Sequence, residues 1–249
     1  MDLNLTGKTA LVTAASGGIG KGVAEALAEA GVRVAISGRT RSSLEEVAGT
    51  LAPHAPPVIV VGDVGAQDGP ARIAAEAAAA LGGRIDIVVN NAGAARPIKG
   101  EADDAFWEES FALNFMAARR LTERVIPAMK AARWGRIISM SGVVVAPAPN
   151  AAAPAKAALV SWSRTLASEL GGHGITVNTI APGRINSAQT RKLHPTEQSR
   201  TDYIQQNIPA GYFGEPHDIG HLVAFLASPL ARYINGAAIP VDGGAVRRV

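Results

Sequence analysis

Cysteine is absent from this 249-residue chain. That excludes disulfides, thiolate metal sites and a cysteine nucleophile, and it leaves the redox compartment undecided. Charge is sparse: Asp, Glu, Lys and Arg make up 18% of the residues, and 24 basic against 21 acidic side chains give a formal net charge of +3. The sequence pI of 9.4 reflects this small excess, not a basic tract. Aromatics are only 4%, and no Lys/Arg run with interleaved aromatics occurs, which argues against a nucleic-acid partner. No uninterrupted apolar stretch reaches bilayer-spanning length, and residues 1–4 lack the charged-then-apolar pattern of a signal. No membrane partner and a cytoplasmic location are expected by default. The five histidines lack ligand spacing such as His-Glu-x-x-His, so no metal is expected.

What the chain does have is apolar residues, 47% of the total, enough for one substantial core and a single domain over 1–249. Strand-like runs at 9–13, 33–37, 58–61, 85–90, 136–140, 175–180 and 238–241 alternate with helical patterns at 20–30, 42–51, 70–81, 105–131, 152–170 and 217–226. Most of the strand runs are continuously apolar, as in parallel strands covered on both faces. The alternation predicts an α/β fold: a Rossmann-type, doubly wound parallel sheet of about seven strands with helices on both faces.

The first strand–helix junction reads Thr13-Ala14-Ala15-Ser16-Gly17-Gly18-Ile19-Gly20. A strand that turns through glycines into a helix brings backbone N–H groups, and the positive end of the helix dipole, up to a phosphate. Gly18 and Gly20 permit close backbone approach and tight helix–strand packing. Such a turn also fits a ligand-free βα connection. The second strand then ends in Gly38-Arg39-Thr40, with no acidic residue for a ribose 2′-OH. Arg39 is placed to pair with a 2′-phosphate, which favours NADP(H) over NAD(H). The bland alternative is a solvated surface arginine.

Further motifs follow in order: Asp63-Val64 after the third strand, Asn90-Asn91-Ala92-Gly93 after the fourth, Leu113-Asn114 in a long helix, Lys156 in another, Pro182-Gly183 after the sixth strand, and Val241-Asp242-Gly243-Gly244. With the first turn, these resemble the short-chain dehydrogenase/reductase family across essentially the whole chain. The resemblance implies a cofactor turn at Thr13, Ala15, Ser16, Gly18, Ile19 and Gly20. It implies that Asp63 and Val64 hold the adenine and that Asn91, Ala92 and Gly93 line the cofactor. Asn114 would hold a water in a proton relay. Lys156 would bind the nicotinamide-ribose hydroxyls and lower the pKa of a neighbouring phenol. Pro182, Gly183 and Ser187 would flank the nicotinamide. A loop-like, mobile substrate lid is expected over 187–212, its Arg191, Lys192 and Arg200 read as solvated charges before an anion site. The implied substrate is a small carbonyl compound or alcohol. The implied assembly is a homo-oligomer, tetramer or dimer, built through 105–131, 152–170 and the C-terminal segment. Outside the family frame, Asn114 fits a side chain bonded to a nearby backbone carbonyl, and Lys156 a solvated lysine.

The chain departs from the family pattern at its reactive end. The family's proton-donor tyrosine stands four residues before the lysine; here that residue is Ala152, and no hydroxyl occurs in 150–156. A positioned acid is typically worth about 10²–10⁴-fold in rate. The carbonyl-polarising serine is ambiguous: counting from Gly135 places it at Gly142 beside Ser141, and counting back from 152 places it nearer Ser139. Ser141 is the first candidate and Ser139 the alternative, with a shortened rim at 143–149. Ala14 stands where the family has glycine; weakened or slightly displaced cofactor binding is expected, little of it if the position is β-like. Three readings stay open: an atypical NADP(H)-dependent oxidoreductase, a dinucleotide-binding sensor or scaffold without turnover, or an engineered Tyr-to-Ala variant of an active reductase.

Overall fold

The computed structural model describes residues 2–51, 53–142, 144 and 148–245. Seven strands form one parallel sheet: β1 (Thr9–Val12), β2 (Arg33–Gly38), β3 (Val58–Val61), β4 (Ile87–Asn90), β5 (Gly135–Met140), β6 (Ile175–Pro182) and β7 (Ala238–Val241), in the order β3-β2-β1-β4-β5-β6-β7. Leu11 of β1 pairs in register with Ala35 on one side and Val88 on the other. The strand order reverses between β1 and β4, and that switch opens a crevice at the carboxyl ends of the strands. The doubly wound α/β expectation holds, strand by strand.

Alternate side chains feed two cores, which is why the strands read as unbroken apolar runs. Ala10, Val12, Ile36, Val89 and Ile138 pack with α1 (Gly18–Glu29) and α9 (Pro216–Ala227) on one face. Leu11, Ala35, Val88, Ile137 and Val177 pack with α3 (Gly69–Ala80), α5 (Ala117–Ala132) and α6 (Ala152–Leu170) on the other. The helix α2 (Arg41–Leu51) buries Leu44, Val47 and Leu51. Contact between α1 and α9 depends on glycine: a Cβ on Gly22 would lie 2.6 Å from the Cβ of Pro216, and one on Gly220 would meet the carbonyl of Gly22.

Two elements differ from expectation. The helix expected over 105–131 is α4 (Asp104–Phe111), a π-helical turn (Ala112–Met116) and α5. The wide turn holds Asn114, buried, at its centre. The segment 187–212 is not loop-like. It folds as α7 (Ala188–Leu193) and α8 (Glu197–Asn207). Ser187 caps α7 by accepting from the Thr190 N–H, and Thr196 with Ser199 forms a capping box on α8. His194-Pro195 separates the two helices. Among the described residues no helix is long and apolar enough to cross a membrane.

Substituting Gly220→Ala is expected to destabilise the fold by about 1–3 kcal/mol through overpacking. Thermal unfolding should show this as a midpoint lowered by several degrees.

Candidate active site at the carboxyl edge of the sheet

The first turn is tied to β4 by a knot of hydrogen bonds. The Thr13 hydroxyl accepts from the N–H groups of Asn91 (3.0 Å) and Ala92 (3.2 Å). The Asn91 carboxamide donates to the carbonyls of Thr13 (3.0 Å) and Ala14 (3.1 Å). On the other side the Ala15 N–H donates to Ser37 O (2.9 Å). Helix α1 enters this knot so closely that a Cβ on Gly20 would lie 2.5 Å from Ala14 O and 2.7 Å from Asn91 Nδ2. The cap residue Gly17 brings no side chain to the first turn of α1, so the orphan N–H groups there remain for a ligand. Ile19 is half-buried against the neighbouring core.

Ala14 adopts φ +50°. The β-like option, under which alanine would cost only a little room, does not hold. The left-handed conformation costs an L-residue roughly 1–2 kcal/mol.

The end of the sheet beyond β2 is open. Ser16 and Arg39 are exposed, and the Ser16 Cβ lies 3.6 Å from where a Cβ on Gly38 would stand. Asp63 is exposed, its Oδ1 accepting from the Gly65 N–H (2.8 Å) in a turn that buries Val64. On the opposite wall Gly183 donates to Val241 O (2.8 Å), after Pro182 at the end of β6. A Cβ on Gly183 would lie 2.6 Å from Asp242 Cα. The Ser187 Cβ lies 3.3 Å from where a Cβ on Gly18 would be, so the first turn and the start of α7 face each other.

Past the ends of β4 and β5, Lys156, Asn114 and Gly93 converge. A Cβ on Gly93 would fall 2.8 Å from Lys156 Nζ and 3.0 Å from Asn114 Oδ1. Lys156 is not a solvated lysine. Its Nζ donates to Met140 O (2.7 Å), and burial pulls its pKa down from 10.5 to about 8. Asn114 does bond a backbone carbonyl, Nδ2 to Ser110 O (3.0 Å), but its Oδ1 also accepts from the Ala94 N–H (3.1 Å) and so grips the loop after β4. Ser139 lies inside β5 and accepts from Asn90 Nδ2 (3.2 Å). Ser141, just past β5, donates to Ile180 O (3.1 Å). Both serines are buried. Ala152 opens α6 and is buried. The rim 143–149 lies mostly outside the described residues.

The tyrosines stand elsewhere. Tyr203 packs on His194 (4.5 Å between centroids) and Phe213 (6.0 Å), with the Arg184 guanidinium 5.1 Å from its ring. Burial, then the charges of Arg184 and Arg200, hold His194 below its usual pKa. Tyr212 and Tyr233 are 61% and 99% exposed. Sequence reasoning passed over this aromatic cluster. It also passed over Asn150, Arg96 and Glu109, which bind the loop after β4 to α6 and α4. Only Asn150 left a trace in the sequence, as an asparagine just before a helical run.

The sequence description of the enoyl-(acyl carrier protein) reductase group matches residues 13–246. The chain belongs to the short-chain dehydrogenase/reductase family. A 3-oxoacyl-[acyl-carrier-protein] reductase FabG of Pseudomonas aeruginosa is 38% identical over 248 residues, covering 97% of this chain and 98% of the relative. The solved NADP complex of Pseudomonas aeruginosa RhlG superposes with a TM-score of 0.89 at 34% identity, covering 98% of each chain. The L-sorbose reductase of Gluconobacter frateurii, solved with NADPH and L-sorbose, reaches 0.92 at 30% identity over 100% of both chains. In this short-chain dehydrogenase/reductase, Thr13, Asn91 and Pro182 stand at or just past the carboxyl ends of β1, β4 and β6.

Two outcomes follow from the geometry. Ala14→Gly is expected to raise stability by about 1 kcal/mol in chemical denaturation, by relieving the left-handed alanine. Lys156→Met is expected to stabilise the protein at pH 7. The folded pKa of about 8 lies below the unfolded value of about 10.4, so the folded state binds fewer protons between them and wild-type stability rises with pH through that window. The gap between variant and wild type should therefore shrink by about 1–3 kcal/mol from pH 7 to pH 10.

Proposed function

We propose that this chain is an NADP(H)-binding oxidoreductase of the ketoreductase type, with an atypical route for the proton. The observation that carries the cofactor reading is the glycine turn itself: Gly20 lets α1 start directly on Ala14 and Asn91, and Gly93 lets the loop after β4 close on Lys156 and Asn114, beside an uncapped helix start. Arg39, exposed at the end of β2 where no acidic residue stands, is the group for a 2′-phosphate. NADP(H) in the solved complexes of RhlG and L-sorbose reductase supports the same choice. On this reading Thr13, Ala15, Ser16, Gly18 and Ile19 border the pyrophosphate, and Asp63 and Val64 the adenine. Asn91, Ala92, Gly93, Pro182, Gly183 and Ser187 enclose the nicotinamide end.

The bound cofactor supplies hydride exchange with a carbonyl or secondary alcohol. The chain's own part is to orient and to manage charge. Lys156, anchored on Met140 O, presents its ammonium beside Gly93, where it holds ribose hydroxyls and favours a developing alkoxide. Asn114 fixes the loop over the nicotinamide and offers a place for a relay water. Ala152 occupies the position of the family's proton-donor phenol and offers only a methyl group. Ser141, with Ser139 as alternative, is the remaining hydroxyl near the substrate carbonyl. Helices α7 and α8 form the substrate lid of a single domain, and the small side chains of Ala157, exposed, and Ala158, half-buried, on α6 suit close approach between copies in the cytoplasm.

A second reading, a dinucleotide-binding protein without turnover, is favoured by the same end of the site: Ala152 has no proton to give, and both serine hydroxyls are already bonded.

Fluorescence titration should show NADPH binding at least about tenfold tighter than NADH, with Arg39→Ala removing the difference. Tighter NADH binding would overturn the Arg39 assignment. Ala152→Tyr should raise reductase turnover on a carbonyl panel by about 10²–10⁴-fold. No gain while NADPH still binds favours the second reading.

A further inference from the structure

We propose that Asn150 is the positioning residue of this site. Its carboxamide fixes the first turn of α6 to the loop after β4, and thereby sets where Lys156 and Gly93 stand around a nicotinamide. The functional half of this inference rests on the dinucleotide reading above; the clamp itself does not.

One oxygen makes the joint. Asn150 Oδ1 accepts from the Ala152 N–H (2.9 Å), the first residue of α6, and from the Arg96 N–H (3.2 Å), three residues beyond Gly93. The backbone extends the joint into a short antiparallel strap: Ala151 N–H donates to Arg96 O (2.9 Å), Ile98 N–H donates to Pro149 O (3.0 Å), and Pro97 bridges Asn150. The near end of the same loop is gripped by Asn114 Oδ1 through the Ala94 N–H. Arg96 reaches α4 through an ion pair with Glu109. A five-residue stretch around the nicotinamide position is thus held from the π turn, from α4 and from α6. Lys156 follows about one turn after Ala152 on the helix whose start Asn150 fixes.

Among the described residues at this helix start, none substitutes for that oxygen. The cap residue Ala151 makes no side-chain bond to the helix, and residues 151–155 carry no polar side chain. Without Asn150 Oδ1, the buried Ala152 would keep an unpaired N–H at a helix start. The loop and the helix would then be joined by backbone bonds alone, and small displacements between groups that surround a reacting centre are costly.

Three measurements on the full chain test this. In hydrogen exchange without ligand, Asn150→Ala should speed exchange in peptides covering both Arg96 and Ala152 by about tenfold, whereas Asn150→Asp, which keeps the acceptor oxygens, should stay within about twofold of wild type. Asn150→Ala should weaken NADPH binding by about tenfold. It should leave adenosine 2′,5′-bisphosphate, which reaches only the adenine end, within about twofold, and Asn150→Asp should restore NADPH affinity. Should Asn150→Ala lose cooperative unfolding, Asn150→Ser replaces it: its shorter acceptor reaches only one of the two N–H groups, so the expected changes are about threefold. Unchanged exchange in the variant lacking the oxygen overturns the clamp. Equal weakening of both ligands, or no rescue by Asn150→Asp, overturns the positioning role. Failure of the wild type to bind NADPH refutes the dinucleotide reading and the role built on it, while the exchange arm still decides the clamp.

Discussion

The hydrogen bonds between Asn91 and the Thr13–Ala14 backbone are the constraint on which the site depends. They join the ends of β1 and β4, the two strands between which the sheet order reverses. That reversal leaves the crevice open. The knot keeps its floor at one height, so that α1 can start directly above it. Thr13 makes the arrangement reciprocal: its hydroxyl accepts from the chain whose carboxamide donates to its own carbonyl. Both the glycine-rich turn into α1 and the loop that carries Gly93 hang from this one joint.

Around it the chain accepts local costs. Ala14 stays in a left-handed conformation because the carbonyls on either side of its Cα are both bonded to Asn91, which leaves little freedom to relax. Lys156 stays buried against Met140 O at the expense of its proton affinity. Both costs fall at the carboxyl edge of the sheet, where ligands enter folds of this class.

The fold was legible because its signal is apolar. Continuous runs gave the strands β3 and β7 to the residue, and the helical pattern over 152–170 matches α6, since burial on a sheet enforces both periodicities. What could not be read has the opposite character. Helix α8 buries none of its residues; it is held by its caps and by Tyr203 packed on His194 and Phe213, and without an apolar stripe it reads as a loop. The π turn has no period of its own. The Asn150 joint links residues 54 apart in the sequence, and no local pattern announces such a pairing. Site motifs fared better than site geometry: Asn91, Asn114 and Lys156 could be named from the chain, but that Lys156 leans on Met140 and Ser139 on Asn90 follows only from three-dimensional packing.

The widened turn at Ala112–Met116 also acts as a phase shift. One residue inserted into a helix rotates everything after it by about 100° relative to everything before. The chain can therefore aim α4 at the rim, where Glu109 meets Arg96, and aim α5 at the sheet, where Leu121, Val125 and Met129 are buried, without a break between them. Asn114 sits at the slip itself. A single-residue deletion there would leave two good helices and still turn one of these two faces away from its partner.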